Sequence, residues 1–433
     1  MNFSLKAIWL RILQSFWLLP AGLAVSAIFA SVGLNWLDHR INLDPEGALA
    51  WFSQSPEGAR SILTTISGSM ITVTGVILST MVVVLTLASQ QYGPRLVKNF
   101  IEDRPSQFVI GAFAGCFIYS IITLKNINSG GTEFVPTLSV LFAVVLSLTC
   151  IGLMIYFVQH VASAIQVQSI MRRVYHDLNH AVDELFPEEI APEKPSAKPT
   201  ADAPRTIGEG AELTCIRSHR AGYVQYVQDD DLMRLAKEWD LGVELKARPG
   251  DFVYDGYELA SVNSKRALDD DALGELRGIF VMGTFPTHQQ DATFPIRQME
   301  EIAIRALSPG INDPHTAVEC IDYLTCSFRK LARRTWPKPQ RFDAEGALRV
   351  IAPPREFETL LRQAFQQIHF YGRQDITIVT RIVASLNIIA EECPSGSERR
   401  ETIVKLTREV IQESQESLPF ASQRERIPDA VSA

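Results

Sequence analysis

Charged residues are missing from three long stretches of the sequence, although Lys, Arg, Asp and Glu make up 21% of the chain as a whole. The three stretches run from Ile62 to Ser89, from Gln107 to Leu124 and from Phe134 to Gln159. As an α-helix, each stretch is long enough to cross roughly 30 Å of hydrocarbon, although the second stretch is only just long enough. A fourth apolar stretch runs from Phe16 to Leu37. The absence of charge therefore predicts four transmembrane helices within residues 1–160, in contact with membrane lipid.

The chain also lacks the motifs of common catalytic and metal sites. Its 6 cysteines include no CxxC pair, which argues against a disulfide framework or a zinc site and predicts free thiols. No GxSxG, P-loop or HExxH motif occurs. The net charge is −8, and no dense Lys/Arg stripe is interleaved with aromatic residues. We therefore predict a protein that is not an enzyme, uses no cofactor or metal and does not bind nucleic acid.

Basic residues are unevenly distributed among the loops that join the apolar stretches. Lys6 and Arg11 precede the first stretch, and three more basic residues lie between the second and the third. The loops at 38–61 and 125–133 are poorer in positive charge per residue. Because loops rich in Lys and Arg stay on the cytoplasmic side, both termini and the large C-terminal region are predicted to be cytoplasmic.

Composition divides the chain after the fourth stretch into five segments. These are a helical extension of the fourth span at 161–186, a Pro/Ala-rich linker at 187–207, a small β module at 208–265, a helical domain at 266–418 and a polar, disordered tail at 419–433. In the β module, short strand-like runs alternate with turn residues such as Pro249 and Gly250, which is typical of a small barrel or sandwich.

The predicted helical domain contains six candidate helices. They lie at 269–282, 294–307, 313–334, 354–371, 375–392 and 396–415. A short strand is expected near residues 347–353. The fold class predicted from these patterns is a mainly α membrane protein, with four transmembrane helices followed by a cytoplasmic α+β region that has a small β module and a helical C-terminal part.

The densest cluster of special residues reads RALSPGINDPHTA, at 305–317. Asp313 is a favoured helix N-cap, and Pro314 suits the first helical position. Gly310 is expected to end the preceding helix with a positive φ, and Asn312 to hydrogen-bond the turn backbone. These features favour a corner between two helices. The candidate residues of the loop are Arg305, Ser308, Gly310, Asn312, Asp313 and His315.

Other interpretations of this loop are weaker but distinct. A catalytic relay would need Ser308, Asp313 and His315 to point at one another, which residues so close to a helix start seldom do. A metal site at Asp313 and His315 lacks further ligands nearby. A binding loop, in which Arg305 and His315 hold an anion or a neighbouring subunit, stays open beside the corner.

Hydroxyl and small residues form a stripe along the second span. Seven-residue steps place them on one narrow face of a helix, since seven residues are close to two turns. One hypothesis is a packing seam between membrane helices, and the other is a hydrated pathway with two glutamines at its cytoplasmic mouth. The residues are Thr65, Gly68, Ser69, Thr72, Gly75, Ser79 and Thr86, followed by Gln90 and Gln91.

Three motifs carry a resemblance to a known family. They are ASQQYGPRL at 88–96, IRQMEEIAIRALSPGINDPHTA at 296–317 and FYGRQD at 370–375. The sequence resembles bacterial inner-membrane proteins that carry only a domain-of-unknown-function label. This resemblance implies a multi-pass plasma-membrane protein with a cytoplasmic domain, and it implies no activity, substrate or catalytic residue.

The membrane spans favour some functions over others. Spans two to four contain no carboxylate or histidine before His160, at a cytoplasmic end, which weakens a proton-coupled transporter. We predict an oligomeric channel-like or transport protein with a cytoplasmic regulatory domain whose ligand the sequence does not name. The alternative is a membrane-anchored cytoplasmic sensor or scaffold without a pore.

Overall fold

The computed structural model describes most of the chain. The described residues are 17–41, 55–92, 103–127, 135–187, 212–265 and 267–432. The chain divides into two compact units, a first unit at Met1–Ser169 and a second unit at Ile170–Ala433.

The first unit consists of long helices. They are α1 (Leu18–Ile41), α2 (Pro56–Tyr92), α3 (Arg104–Lys125) and α4 (Thr137–Ala164). Among the described residues, these four helices are the ones long and apolar enough to cross a membrane. The four predicted spans are therefore confirmed as helices of membrane-spanning length.

Helix α3 is the central helix of the first unit, since it packs against α1, α2 and α4. Gly111 and Gly115 of α3 let α1 approach it closely. A Cβ atom at Gly111 would lie 2.7 Å from the side chain of Leu23 and 2.8 Å from the backbone of Pro20. Small residues at such contacts allow membrane helices to gain van der Waals packing along their backbones.

The fourth span does not continue as one helix into residues 161–186. Helix α4 ends at Ala164, and a separate helix, α5 (Val167–Leu185), follows it. At the break, the backbone N–H of Gln166 donates to the carbonyl of Ser163, three residues back, instead of the fourth residue back. The interruption involves neither proline nor glycine, which explains why the sequence pattern did not reveal it.

The second unit contains two β-sheets. The strands are β1 (Glu212–Arg217), β2 (Gly222–Val227), β3 (Gly242–Leu245), β4 (Phe252–Val253), β5 (Glu258–Ser264), β6 (Phe280–Gly283), β7 (Gln340–Phe342) and β8 (Leu348–Ile351). One sheet has five strands in the order β1-β5-β3-β8-β7, and the other has three in the order β4-β2-β6. Their pairings are antiparallel except that of β3 with β8.

The β structure is discontinuous in the sequence. Strands β6, β7 and β8 come from beyond the predicted module at 208–265, and a helix that was not expected, α6 (Asp229–Glu238), lies within it. Alternating apolar residues such as Val224, Val243 and Val262 enter a common core with Leu235 of α6. The β segment and part of the helical segment therefore fold together.

Helices make up most of the remainder of the second unit. They are α7 (Asp270–Gly278), α8 (Thr293–Ala306), α9 (Pro314–Ala332), α10 (Phe357–Gly372), α11 (Ile376–Glu391), α12 (Glu398–Ser417) and α13 (Ala421–Arg424). All six predicted helices are present, and β8 confirms the strand expected near 347–353. The helix predicted at 269–282 ends early, because Phe280–Gly283 pairs with β2 as a strand.

The end of the chain is ordered up to residue 432, against the prediction of a disordered tail at 419–433. The side chain of Asn387 donates to the carbonyl of Asp429 at 2.8 Å and accepts from the backbone N–H of Val431 at 3.2 Å. The Nε of Arg400 on α12 also donates to the carbonyl of Ser432 at 3.0 Å. A polar composition did not reveal these long-range contacts.

Candidate functional site

The helix corner at 305–317 is built largely from its own backbone. The carbonyl of Ser308 accepts from the N–H groups of Ile311 and Asn312, and the N–H of Asp313 donates to the carbonyl of Ala306 at 2.8 Å. The carboxylate of Asp313 accepts from the backbone and the hydroxyl of Thr316, at 3.2 and 2.6 Å. These bonds hold the pKa of Asp313 below its ordinary value. Asp313 is therefore the N-cap of α9, as predicted.

The positive φ of this corner belongs to a different residue from the one predicted. Asn312 has φ of 50°, whereas Gly310 is not among the positive-φ residues. A Cβ at Gly310 would meet nothing within 4 Å. The expectation for Gly310 was wrong because asparagine also tolerates the left-handed region, and here it takes that role.

The geometry gives no support to a catalytic relay in the corner. The hydroxyl of Ser308 donates to the carbonyl of Arg305 at 2.7 Å, and the carboxylate of Asp313 is engaged by Thr316. His315 is exposed on the first turn of α9. Among the described residues, no group of three or more His, Cys, Asp or Glu side chains is placed to hold a metal. The corner presents an exposed loop, with Ile311 half exposed.

The stripe on α2 faces away from the other described helices of the first unit. Thr65, Thr72 and Thr86 are exposed, and each hydroxyl donates at 2.8 Å to the carbonyl four residues earlier. A Cβ added at Gly68 or Gly75 would meet nothing within 4 Å. Ser69 and Ser79 are exposed on the same side. The side chains of Gln90 and Gln91 lie outside the described residues.

The opposite side of α2 makes the contacts within the chain. Leu63, Met70, Ile77 and Met81 are buried there, and Met70 and Ile77 belong to a cluster with residues of α3 and α4. At about 100° per residue, this buried face lies roughly opposite the stripe. Among the described residues of the first unit, the stripe therefore forms no packing seam with α1, α3 or α4.

A buried carboxylate that the sequence did not single out caps α4. Asp38, near the end of α1, accepts from the backbone N–H groups of Leu138 and Ser139 at 3.0 Å each, and from the Ser139 hydroxyl at 2.6 Å. These N–H groups belong to the first turn of α4, which has no partner of its own for them. Nearby, Ser31 and Thr123 share a hydroxyl hydrogen bond of 3.1 Å. A polar network thus joins one end of three helices.

An ionisable pair, Asp103 and His160, lies toward the other end of the first unit. Asp103 is the N-cap of α3 and accepts from the backbone N–H of Ser106 at 3.1 Å. The ring of His160, on α4, lies 2.8 Å from the same carboxylate through Nε2. His160 is thus occupied by a helix cap, in keeping with its position near the end of its span.

A cavity of about 510 Å3 lies within the second unit. Its wall combines the end of α5, the start of α6, the turn after β3, the segment before α8, strand β7 and the segment after β8. Three arginines line it: Arg248, Arg341 and Arg355. The sequence could not place this cavity, because its wall is assembled from segments far apart along the chain.

Each arginine of the cavity has different surroundings. Arg355 donates to the Asp251 carboxylate at 2.7 Å and to the carbonyl of Pro249 at 3.1 Å. Arg341 lies 3.0 Å from the carboxylate of Asp229. The guanidinium of Arg248 has no hydrogen-bond or ion-pair partner within the described part of the chain.

Ser414 and His369, which are buried, and Glu413, which is exposed, resemble a catalytic triad only in their order. The Nε2 of His369 lies 2.9 Å from the Ser414 hydroxyl, and its Nδ1 lies 3.4 Å from the Glu413 carboxylate. The hydroxyl of Ser414 is fully buried and donates to the carbonyl of Val410 at 2.7 Å. Because a nucleophile must reach a substrate, this cluster is a helix contact and not a reaction centre.

These observations define a membrane protein with an apolar four-helix unit and an α+β second unit that contains a cavity. The chain belongs to the family described as "Predicted membrane protein (DUF2254)", whose model matches residues 13–387. An uncharacterized protein of Mycobacterium bovis and one of Mycobacterium tuberculosis are each 32% identical over 356 residues, which cover 80% of this chain and 67% of the relative. No solved structure matches the chain.

Proposed function

We propose that the protein is an oligomeric channel-like or transport protein of the bacterial inner membrane. In this proposal both termini and the second unit are cytoplasmic, and the second unit regulates the membrane part. The observation that carries the proposal is the outward direction of the hydroxyl and glycine stripe on α2.

The stripe stands out because of where it lies. Small residues gain less from contact with lipid than larger apolar side chains do, whereas they permit close packing between helices. The threonine hydroxyls donate to carbonyls of their own helix, so their oxygen lone pairs remain available on the outside. Such a face suits either a second copy of the chain or a hydrated path along which an ion meets hydroxyl oxygens.

The interior of the first unit favours a path between copies over a path through one copy. Its centre is filled by Met70, Phe113, Cys116 and Phe157, all buried. Close-packed apolar side chains leave no route for a hydrated ion. Oligomerisation is therefore part of the proposal.

Single cysteines test the stripe in a background without the native thiols. Replacements at Thr65, Thr72, Ser79 and Thr86 report the stripe, and Ile77→Cys reports the buried face of the same helix. A hydrated path predicts modification of all four stripe positions by thiol reagents that need water, altered ion flux in liposomes and protection at residue 77. Disulfide cross-links between copies at the stripe, without flux, would retain the oligomer and remove the pore. Protection of all four, no flux from the parent and a monomer in nanodiscs would overturn the proposal.

The alternative is a membrane-anchored sensor or scaffold without a pore. It is favoured by the cavity of about 510 Å3 in the second unit, since a scaffold for ligand detection needs a site of this kind. Particle symmetry in nanodiscs separates the two, because a ring with an axial opening supports a channel and a closed dimer or monomer supports a sensor.

A further inference from the structure

We propose that the cavity of the second unit binds a small organic anion, with a phosphate or carboxylate group held by arginine and an apolar part held by the rest of the wall. The volume of about 510 Å3 falls within the range of about 300–1,000 Å3 that is usual for small-molecule sites. All of its lining residues belong to the second unit. The inference does not depend on the pore proposed above.

Arg248 supplies the main argument. Its backbone lies in a tight turn, where its N–H donates to the Asp251 carboxylate at 2.9 Å and the N–H of Gly250 donates to the carbonyl of Val224 at 2.8 Å. Its side chain lines the cavity, is partly buried and lacks a counter-ion among the described residues. A guanidinium that is partly removed from water without a partner is costly, and its planar fork matches the oxygens of a carboxylate or phosphate.

Arg355 is fixed to the same turn as Arg248. One terminal nitrogen, Nη2, makes both the bond to Asp251 and the bond to Pro249. The carboxylate of Asp291 lies 3.9 Å from Nε. Burial raises the pKa of Asp291, so this carboxyl takes up a proton more readily than an exposed one and opposes a bound anion less. The turn therefore presents two guanidinium groups on one rigid support.

Arg341 can contribute a third charge. Its partner is Asp229, and the two side chains are 43% and 42% exposed, respectively. Exposed ion pairs of this kind contribute little to stability, so an anion in the cavity can compete for the guanidinium.

The remaining wall favours an organic anion over an inorganic one. Phe186, Leu245, Pro353, Pro354 and Leu360 present apolar surface to the cavity. Contact with such surface removes the apolar part of a ligand from water, which strengthens binding in proportion to the area covered.

The wall also contains three acidic residues, each close to a basic side chain. Asp229 pairs with Arg341, Asp291 lies 3.9 Å from Arg355, and Glu184 lies 3.4 Å from the ring of His180. The guanidinium of Arg248 has no carboxylate partner among the described residues, and this arginine therefore favours an anion as the ligand.

Calorimetric titration of the full chain in nanodiscs of neutral lipid tests the inference. The probes are AMP, citrate and inorganic phosphate at constant ionic strength, with adenosine as the uncharged comparison. AMP, whose adenine ring can contact the apolar wall, is expected to bind more tightly than citrate or inorganic phosphate, and adenosine is expected not to bind. Arg248→Gln should weaken binding about tenfold or more, as expected for loss of a charge-assisted hydrogen bond, and Arg248→Lys should weaken it less.

Arg234→Gln is the matched control. Arg234 lies on α6 outside the cavity wall and pairs at the surface with Asp231 and Glu238 at 3.3 Å each. This control should bind the probes with the parent affinity. Nanodiscs that contain anionic lipid add a second arm, since loss of AMP binding there, restored in neutral lipid, would identify a lipid phosphate as the occupant.

Two results would overturn the inference. One is the absence of binding heat with all three anions at millimolar concentration. The other is equal affinity for AMP or citrate in the parent and in Arg248→Gln. Neither result depends on ion flux or on the oligomeric state, so a failure here is distinct from a failure of the proposed channel.

Discussion

The two units differ in the side chains that they commonly expose, which are apolar in the first unit and charged in the second. In the first unit, exposed apolar side chains such as Phe29, Val82 and Ile155 are what a lipid-facing helix requires. In the second unit, exposed charges are ordinary, and many form ion pairs such as Arg362 with Glu409. An outward stripe of hydroxyl groups is therefore the exception in the first unit, and the second unit has a cavity whose wall includes the partly buried guanidinium of Arg248.

Buried polar groups also differ between the two units. In the first unit they bond to helix backbones, as Asp38 does at the start of α4 and Thr74 does by donating to the carbonyl of Met70 at 2.7 Å within α2. In the second unit they also brace loops, as Asp291 does by accepting from the backbone and hydroxyl of Thr293 at 2.9 and 2.6 Å. Buried polar contacts thus serve helices in one unit and also shape a cavity wall in the other.

Removal of the Asp38 carboxylate should give the largest effect. Asp38→Ala leaves the N–H groups of Leu138 and Ser139 without their acceptor, at a cost of about 1–3 kcal/mol for each. The measurement is the temperature at which the detergent-solubilised full chain loses its monodisperse elution peak. Asp38→Asn keeps one acceptor oxygen and should fall between the parent and the alanine variant. Equal thermal stability of all three would contradict the role of the cap.

A side chain at Gly250 should be the next most damaging change, in the second unit. Gly250 has φ of +88°, and a Cβ there would lie 2.1 Å from an oxygen of Asp291. Strain and overpacking together predict a loss of about 2–4 kcal/mol for Gly250→Ala, measured by chemical unfolding.

Gly256→Ala is the control for the Gly250 variant. Gly256 has φ of +81° but nothing within 4 Å of its Cβ position. Gly256→Ala should therefore lower the free energy of unfolding only by the cost of a positive φ for a residue with a Cβ, about 1 kcal/mol. Equal losses for the two variants would show that Asp291 does not restrict the turn.

The helix corner should respond more weakly. Asp313→Ala should lower the free energy of unfolding by about 0.5–2 kcal/mol, as is typical for loss of an N-cap. Gly310→Ala should change it little, because φ is not positive there and the added methyl group meets open space. Chemical unfolding of the two variants checks that Asp313→Ala loses more stability than Gly310→Ala. The larger loss would fall on Gly310→Ala if Gly310, and not Asn312, had the positive φ.

A smaller effect is expected in the pH dependence of the second unit. Burial lowers the pKa of His369 below 6.5, so the unfolded chain takes up a proton first as the pH falls. Stability linked to this group is therefore full above about pH 6.5 and declines as the pH falls from there through the lowered folded pKa. Melting temperatures between about pH 7 and about pH 5 should show a shallower slope for His369→Gln than for the parent.

An exposed histidine provides the comparison for this pH series. His315→Gln removes an imidazole from an exposed position at the start of α9 and is the reference for that change. A parent slope in both variants would mean that the protonation of His369 is not linked to unfolding.

Local patterns in the sequence were sufficient for the helices and for one cap. The spans follow from uninterrupted apolar runs, and the Asp313 cap involves a partner three residues away. Strand β6 was missed because its identity depends on pairing with β2, far earlier in the chain. The break after Ala164 was missed because no proline or glycine marks it.

The candidate sites show the same limit. The stripe on α2 was identified by its spacing, but its outward direction depends on which face packs against α3 and α4. The cavity needs both Arg248 and Arg355, and Arg355 reaches the turn of Arg248 by bonding to Asp251, 104 residues earlier. Periodicity can place a residue on a face of an element, whereas only tertiary packing decides what that face meets.

The Asp38 cap has a consequence for the order in which the chain enters the bilayer. Asp38 binds the start of α4 across 100 residues, so ribosomes make α1 long before its partner exists. A carboxylate without donors is costly in hydrocarbon, so we expect the end of α1 to stay at the water boundary during synthesis. Insertion of α4 would supply the missing N–H groups and allow the carboxylate to become buried. We therefore expect a nascent chain interrupted before Thr137 to retain an incompletely inserted α1.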